Sequence, residues 1–136
     1  MNILTALCST PTAPFAEWHV VQWVEEFVKA RPALRLERDP YENLLISLRG
    51  RGKKFPRWVF TAHMDHPGMV AQRMTANHKL LAAFYGSVNK EYLPGAAVKF
   101  FDFDDEIPGA IARVVSVDPQ RPIYPATVEV KVKHPV

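Results

Sequence analysis

The sequence predicts an α/β start, helices plus a mixed sheet, followed by an inserted small β-barrel or sandwich. Three observations predict it. An amphipathic helical stretch precedes three short strand-like runs, the last of which ends in ionisable residues. Beyond residue 68 the chain changes to short apolar or alternating runs separated by Gly, Pro and Asn turn signals. The change comes directly after the ionisable residues, with no linker-like composition between. The boundary is therefore placed near Gly68. Residues 1–68 form the α/β part and residues 69–136 the β-rich part.

Residues 1–7 suit a short helix, with Ile3, Leu4 and Leu7 on one side, and Ser9-Thr10-Pro11-Thr12 interrupts it. A second helix is predicted from about residues 14–16 to Lys29. Proline suits a first helical turn, and Glu17 favours the positive end of the helix dipole. Val20, Val24, Phe27 and Val28 recur at helical spacing, with Trp18 and Val21 widening the apolar face. Lys29 and Arg31 suit the negative end, and Pro32 stops the helix. His19 on this helix reads as a surface or boundary histidine. Leu34-Arg35-Leu36-Glu37 alternates as a short strand. Asp39-Pro40-Tyr41-Glu42-Asn43 is a turn, and residues 44–48 are a second strand. The basic segment at residues 49–56 is a loop. Trp58-Val59-Phe60-Thr61-Ala62 is apolar on both faces and reads as a third, buried strand.

In the β-rich part, strands are predicted at residues 69–74, 79–85, 97–101, 110–117 and 127–132. Thr75-Ala76-Asn77, Gly86-Ser87, Leu93-Pro94-Gly95, Pro108-Gly109 and Asp118-Pro119 punctuate them. The last strand alternates cleanly, which predicts one wet face. Asp102, Asp104, Asp105 and Glu106 read as an acidic turn, since they lack the spacing and glycine of a calcium loop. His78 falls in a hairpin turn and His134 near the last residue; both are expected to be exposed.

Composition narrows the function classes. The 136 residues include 48% hydrophobic and 23% charged residues, as in a globular chain. A formal net charge of +3 is a mild excess, and its one dense run, Arg49-Gly50-Arg51-Gly52-Lys53-Lys54, reads as a solvated loop. No nucleic-acid partner is expected. The single cysteine, Cys8, excludes an intrachain disulfide framework and fits a reducing compartment. No apolar run approaches the roughly 20 residues that span a bilayer, and no signal-peptide pattern opens the chain. The expectation is a soluble, cytoplasmic protein with no membrane partner.

The stretch that carries chemistry is Ala62-His63-Met64-Asp65-His66-Pro67-Gly68. Ligands in α/β folds collect outside the carboxyl ends of strands. In a strand, residues two apart point to the same face. His63 and Asp65 therefore suit a metal ligand and its orienting carboxylate. Taken without context, such a pair is more often an ordinary hydrogen-bonded pair. His66 reads as a surface turn histidine, with a third polar group of the site as the alternative.

At His63-Met64-Asp65 followed by Gly68-Met69-Val70, the sequence resembles the tetrahedral and glutamyl aminopeptidases, a family of di-zinc metallopeptidases. Glu42-Asn43-Leu44 before a strand, Gly86-Ser87-Val88-Asn89 and Leu93-Pro94-Gly95 extend the resemblance along the chain. The His-x-Asp element is shared with the amidohydrolase and carboxypeptidase relatives of the same clan. The resemblance implies that residues 1–68 begin a di-zinc peptidase domain and that residues 69–136 are an inserted, dimerisation-type β-domain. It implies His63 as a ligand to one of two zinc ions and Asp65 as the catalytic carboxylate that fixes the imidazole. It also implies a small peptide or amide substrate and a homo-oligomer.

The family's further ligands, a bridging aspartate, a glutamate pair, another carboxylate and a late histidine, follow its inserted domain and have no counterpart among these residues. The expectation is thus the N-terminal portion of a metal-dependent aminopeptidase-like hydrolase, with zinc weakly bound or absent and no turnover in this chain alone. A non-catalytic β-rich oligomerisation or binding module is the alternative from another class. A zinc amidohydrolase or deacylase is the alternative within the clan.

Overall fold

A computed structural model describes residues 2–50, 58–102, 105–117 and 126–136. Among these residues 44% are strand and 18% helix. This corrects the predicted α/β architecture. The fold is mostly β and does not resemble an α/β di-zinc peptidase domain. The chain divides into two compact units. The first comprises Met1–Thr12 and Glu17–Met64, and the second Ala13–Ala16 and Asp65–Val136.

The first unit holds α1 (Ile3–Cys8), α2 (Trp18–Lys29) and a hairpin of β1 (Leu34–Arg38) and β2 (Leu44–Leu48). Asn2 caps α1 by accepting a hydrogen bond from the Leu4 N–H. The second helix starts later than the Pro14 signal predicts. Phe15 sits at a φ of 69°, a left-handed conformation that a right-handed helix does not tolerate. Val20 and Val28 are the buried face of α2. Trp23 stacks on Phe27 at 5.2 Å, and the Arg31 guanidinium lies 3.5 Å over the Phe27 ring while donating to the Phe27 carbonyl. The residue before Pro32 cannot stay helical, which ends the helix at Lys29.

Asp39 organises the β1–β2 turn. Its carboxylate accepts from the Tyr41 and Asn43 backbone N–H groups and from the Asn43 side-chain amide. The Asn43 amide is the largest reason its carboxyl lies below the ordinary aspartate range. Arg38 bridges Glu25 of α2 and Glu42 of the turn, tying hairpin to helix through exposed ion pairs.

The predicted third strand does not form. Residues 58–62 carry no strand pairing, and Trp58, Val59 and Phe60 are 79%, 68% and 93% exposed. A strand exists through its neighbours, because the ladder must take up its N–H and C=O groups. A run apolar on both faces also needs cover on both. The first unit provides a two-stranded sheet and one packed helix, and Leu45, Ile46 and Leu48 of that sheet are themselves exposed. The basic run at residues 51–54 lies outside the described residues, as does the turn at Asp118-Pro119.

The second unit is built on one antiparallel sheet of β3 (Gly68–Ala76), β4 (Lys79–Tyr85), β5 (Ala97–Asp102), β6 (Asp105–Val117) and β7 (Ala126–Val132). A 3-10 turn spans Lys90–Tyr92. The strand order is β3-β4-β7-β6-β5, so the sheet is a single curled layer with two edges rather than a pair of packed sheets. Four of its strands lie over the stretches where alternation and turn signals put them, whereas β6 starts earlier than predicted and runs through Pro108-Gly109, which pair with Lys99 and Val98 of β5 instead of forming a turn. The acidic residues differ: Asp105 and Glu106 begin β6, opposite Asp102 and Phe101, and Asp104 lies outside the described residues.

The central strand β7 places Ala126, Val128, Val130 and Val132 on one buried face, with Thr127, Glu129 and Lys131 on the other. Leu80, Ala82, Phe84, Leu93, Phe100, Ile107 and Ile111 complete the core. Leu93 reaches it through the Leu93-Pro94-Gly95 turn. There Gly95 adopts a φ of 85° and donates its N–H to the Ile111 carbonyl at 2.8 Å. Burying these side chains is the main stabilising term of this unit, at about 1.5–3 kcal/mol for each fully enclosed Val or Leu.

Candidate functional site

The candidate stretch begins in the first unit and ends in the second. The boundary falls between Met64 and Asp65, so His63 is the penultimate residue of one unit and Asp65 opens the long segment of the other. In the first unit, His63 is exposed. The Met64 carbonyl accepts a 3.0 Å hydrogen bond from the Thr12 hydroxyl, which ties this end of the unit to the segment after α1.

In the second unit, Asp65 is half-buried and leads into His66, Pro67 and Gly68. His66 is exposed, and its Nδ1 lies 3.2 Å from the Pro67 carbonyl, a contact in which the ring nitrogen donates. Gly68 begins β3 and pairs with Tyr85 at the end of β4. Gly86 follows with a φ of 135°. A Cβ there would stand 2.6 Å from Pro67 Cβ and 2.9 Å from Pro67 Cα. Only glycine allows the β4 end to lie this close to the turn after Asp65. The Gly86-Ser87-Val88-Asn89 anchor of the sequence thus acts as a packing partner of the candidate stretch.

Aromatic residues missed by the sequence reading flank the same turn. Phe15 stands edge-on to Tyr85, with ring centroids 5.6 Å apart and planes at 76°. No periodic signal marked Phe15, because it lies between two helices and belongs to neither. Lys90, on the opposite side of β4, donates to the Gly86 carbonyl at 3.3 Å and lies 4.8 Å over the Phe84 ring. Partial burial pushes its ammonium below the ordinary lysine range.

Zinc sites take three or four protein ligands from His, Cys, Asp or Glu. Among the described residues no three such groups stand together. One imidazole and one carboxylate do not amount to a zinc site, and the donor set of this chain does not by itself fit the group the resemblance implies. The other histidines do not add to it. His19 stacks on Trp18 at 3.3 Å between centroids, and burial pulls its pKa below the ordinary value. His78 contacts the Val132 carbonyl at 3.2 Å through Nδ1, and His134 is exposed.

A groove of about 380 Å³ in the first unit carries Lys29, Arg31 and Arg49 over Val28, Leu34 and Leu36. Neither His63 nor Asp65 lines it. No helix among the described residues is long and apolar enough to cross a membrane. Compared with protein-family models, curated proteins and solved structures, the chain matches none.

Proposed function

We propose that this chain is the N-terminal portion of a metal-dependent hydrolase that cleaves peptide or amide bonds, aminopeptidase-like in its chemistry. The observation that carries the reading is the His63-Met64-Asp65 pattern, which ends one unit and opens the next at the start of a five-stranded β unit. His63 is the metal ligand and Asp65 the carboxylate that sets its tautomer and raises its basicity. The remaining ligands come from further polypeptide. The reading rests on sequence pattern and chain organisation, since the fold of the first unit is not that of a complete peptidase domain.

The test is metal-dependent turnover of an aminoacyl anilide. The 136-residue chain alone turns over nothing. In the longer protein that the reading calls for, His63→Ala abolishes turnover while the far-ultraviolet circular dichroism is unchanged. Activity retained in that variant refutes the ligand role.

A second reading is supported by a different observation. The β unit has its own buried core and two edge strands, β3 and β5, each paired on one side only among the described residues. Open edges are where sheets extend from one chain into another. In this reading the chain is a non-catalytic oligomerisation or binding module. Sedimentation velocity separates the two: a stable dimer of a chain that shows no zinc dependence in any form favours the module.

A further inference from the structure

The described lysines and arginines of the first unit fall into two groups. Arg35 pairs with Glu37, and Arg38 pairs with Glu25 and Glu42. Lys29, Arg31 and Arg49 pair with no carboxylate among the described residues, and these three line the groove of about 380 Å³. That volume lies within the range of small-molecule sites. All of the groove's described lining belongs to the first unit.

The three cations gather where α2 gives way to β1 and where β2 ends. Lys29 is the last residue of α2. The Leu34 N–H donates to the Arg31 carbonyl at 2.8 Å, and Arg49 donates from Nε to the Leu34 carbonyl at 2.7 Å. Arg31 and Arg49 are thus both anchored at Leu34, and the Arg31 guanidinium is fixed further on the ring and carbonyl of Phe27. Guanidinium groups held in this way lose little freedom on meeting an anion, and each has N–H donors beyond the one already used.

From Leu34 the apolar floor continues to Leu36 on the same strand face, about 6.6 Å further on, with Val28 of α2 also in the lining. Val28 is buried, whereas Leu34 and Leu36 are half-buried and gain from further cover. Glu25 is the carboxylate in the described lining, and Arg38 neutralises it at 3.0 Å. Among the described residues the lining holds no Ser, Thr, Asn, Gln or His. The amides of a bound peptide would need such partners, and an alkyl chain needs none.

We propose that this groove binds a medium-chain fatty acid, with its carboxylate among Lys29, Arg31 and Arg49 and its tail over Leu34, Leu36 and Val28. The proposal is independent of the hydrolase reading, because neither His63 nor Asp65 lines the groove.

The experiment is a titration of the isotope-labelled chain with octanoate, butyrate and octylammonium at low salt, followed by methyl and amide NMR shifts. Octanoate shifts the Val28, Leu34 and Leu36 methyl signals saturably. Butyrate binds at least about tenfold more weakly, because it lacks the methylenes that cover the floor. Octylammonium, with the same tail and the opposite charge, does not saturate these signals. Lys29→Gln and Arg49→Gln each weaken octanoate binding about threefold, as expected for partly solvated charge contacts. The amide spectrum reports whether each variant is folded. Lys29→Gln changes an exposed side chain, and it decides the matter if loss of the Arg49 bond to Leu34 unfolds the other variant. Equal shifts with octanoate and octylammonium, butyrate binding as tightly as octanoate, or octanoate binding unchanged in Lys29→Gln overturn the proposal. So do methyl shifts that depend on protein concentration without probe, which would assign the groove to a second copy of the chain.

Discussion

Gly86 shows how one residue decides local geometry in this protein. Its φ of 135° and the 2.6 Å approach of a hypothetical Cβ to Pro67 exclude any larger residue without movement of the turn. Gly86→Ala is expected to destabilise the β unit by about 1–3 kcal/mol, from strain plus the displaced contact. Thermal unfolding checks it, and an unchanged midpoint contradicts the packing described. His19 gives a pH-dependent counterpart. Burial lowers its folded-state pKa below 6.5, so the unfolded chain binds the proton more readily. The stability tied to neutral His19 is complete above about pH 6.5 and is lost as the pH falls through the lower, folded value. His19→Gln should flatten the stability profile in that acidic window, as measured by urea unfolding at a series of pH values. A profile that keeps its slope contradicts a partly buried His19 held neutral by desolvation. Neither Gly86's contact with Pro67 nor the depressed histidine was legible in sequence. A glycine in a turn signal does not name its neighbour, and helical periodicity does not say how closely Trp18 stacks on His19.

At the scale of elements, both helices, the β1–β2 hairpin and most of the β unit were legible, whereas the third strand, and with it the α/β class, was not, for one physical reason. Strands β3 to β7 carry their own pairing partners and their own buried face, so alternation and turns placed them, except at the start of β6, where pairing with β5 carries the strand through Pro108-Gly109. Residues 58–62 carry a strand's composition without the partners that make one, and local pattern does not reveal whether neighbours exist. The sequence also placed His63 and Asp65 at the end of that strand, and this part of the site argument goes with it. What remains legible is the pattern itself and its position at the change of composition. Two outcomes follow for the elements. Leu80, 1% exposed at the centre of the β unit, should cost about 2–5 kcal/mol on replacement by alanine, read from denaturant unfolding. Phe60, 93% exposed, should cost less than about 0.5 kcal/mol on replacement by serine while lowering the binding of a hydrophobic dye. A large loss from Phe60→Ser would show that this run is packed rather than exposed.

For the whole molecule, the proposal to be tested is a metal site to which His63 and Asp65 contribute and which other polypeptide completes. The chain carries one imidazole and one carboxylate where the sequence passes from one unit to the next, and the resemblance to the di-zinc aminopeptidases is the ground for the roles proposed for them. The fold class it implied for residues 1–68 did not hold, so the claim depends on the behaviour of these two side chains toward a metal. Equilibrium dialysis against zinc, comparing the natural chain with His63→Ala, tests it most directly. The chain is expected to retain less than one equivalent of zinc, and this weak binding to fall further in the variant. Tight retention of zinc by the chain alone, or weak binding that His63→Ala leaves unchanged, would contradict it.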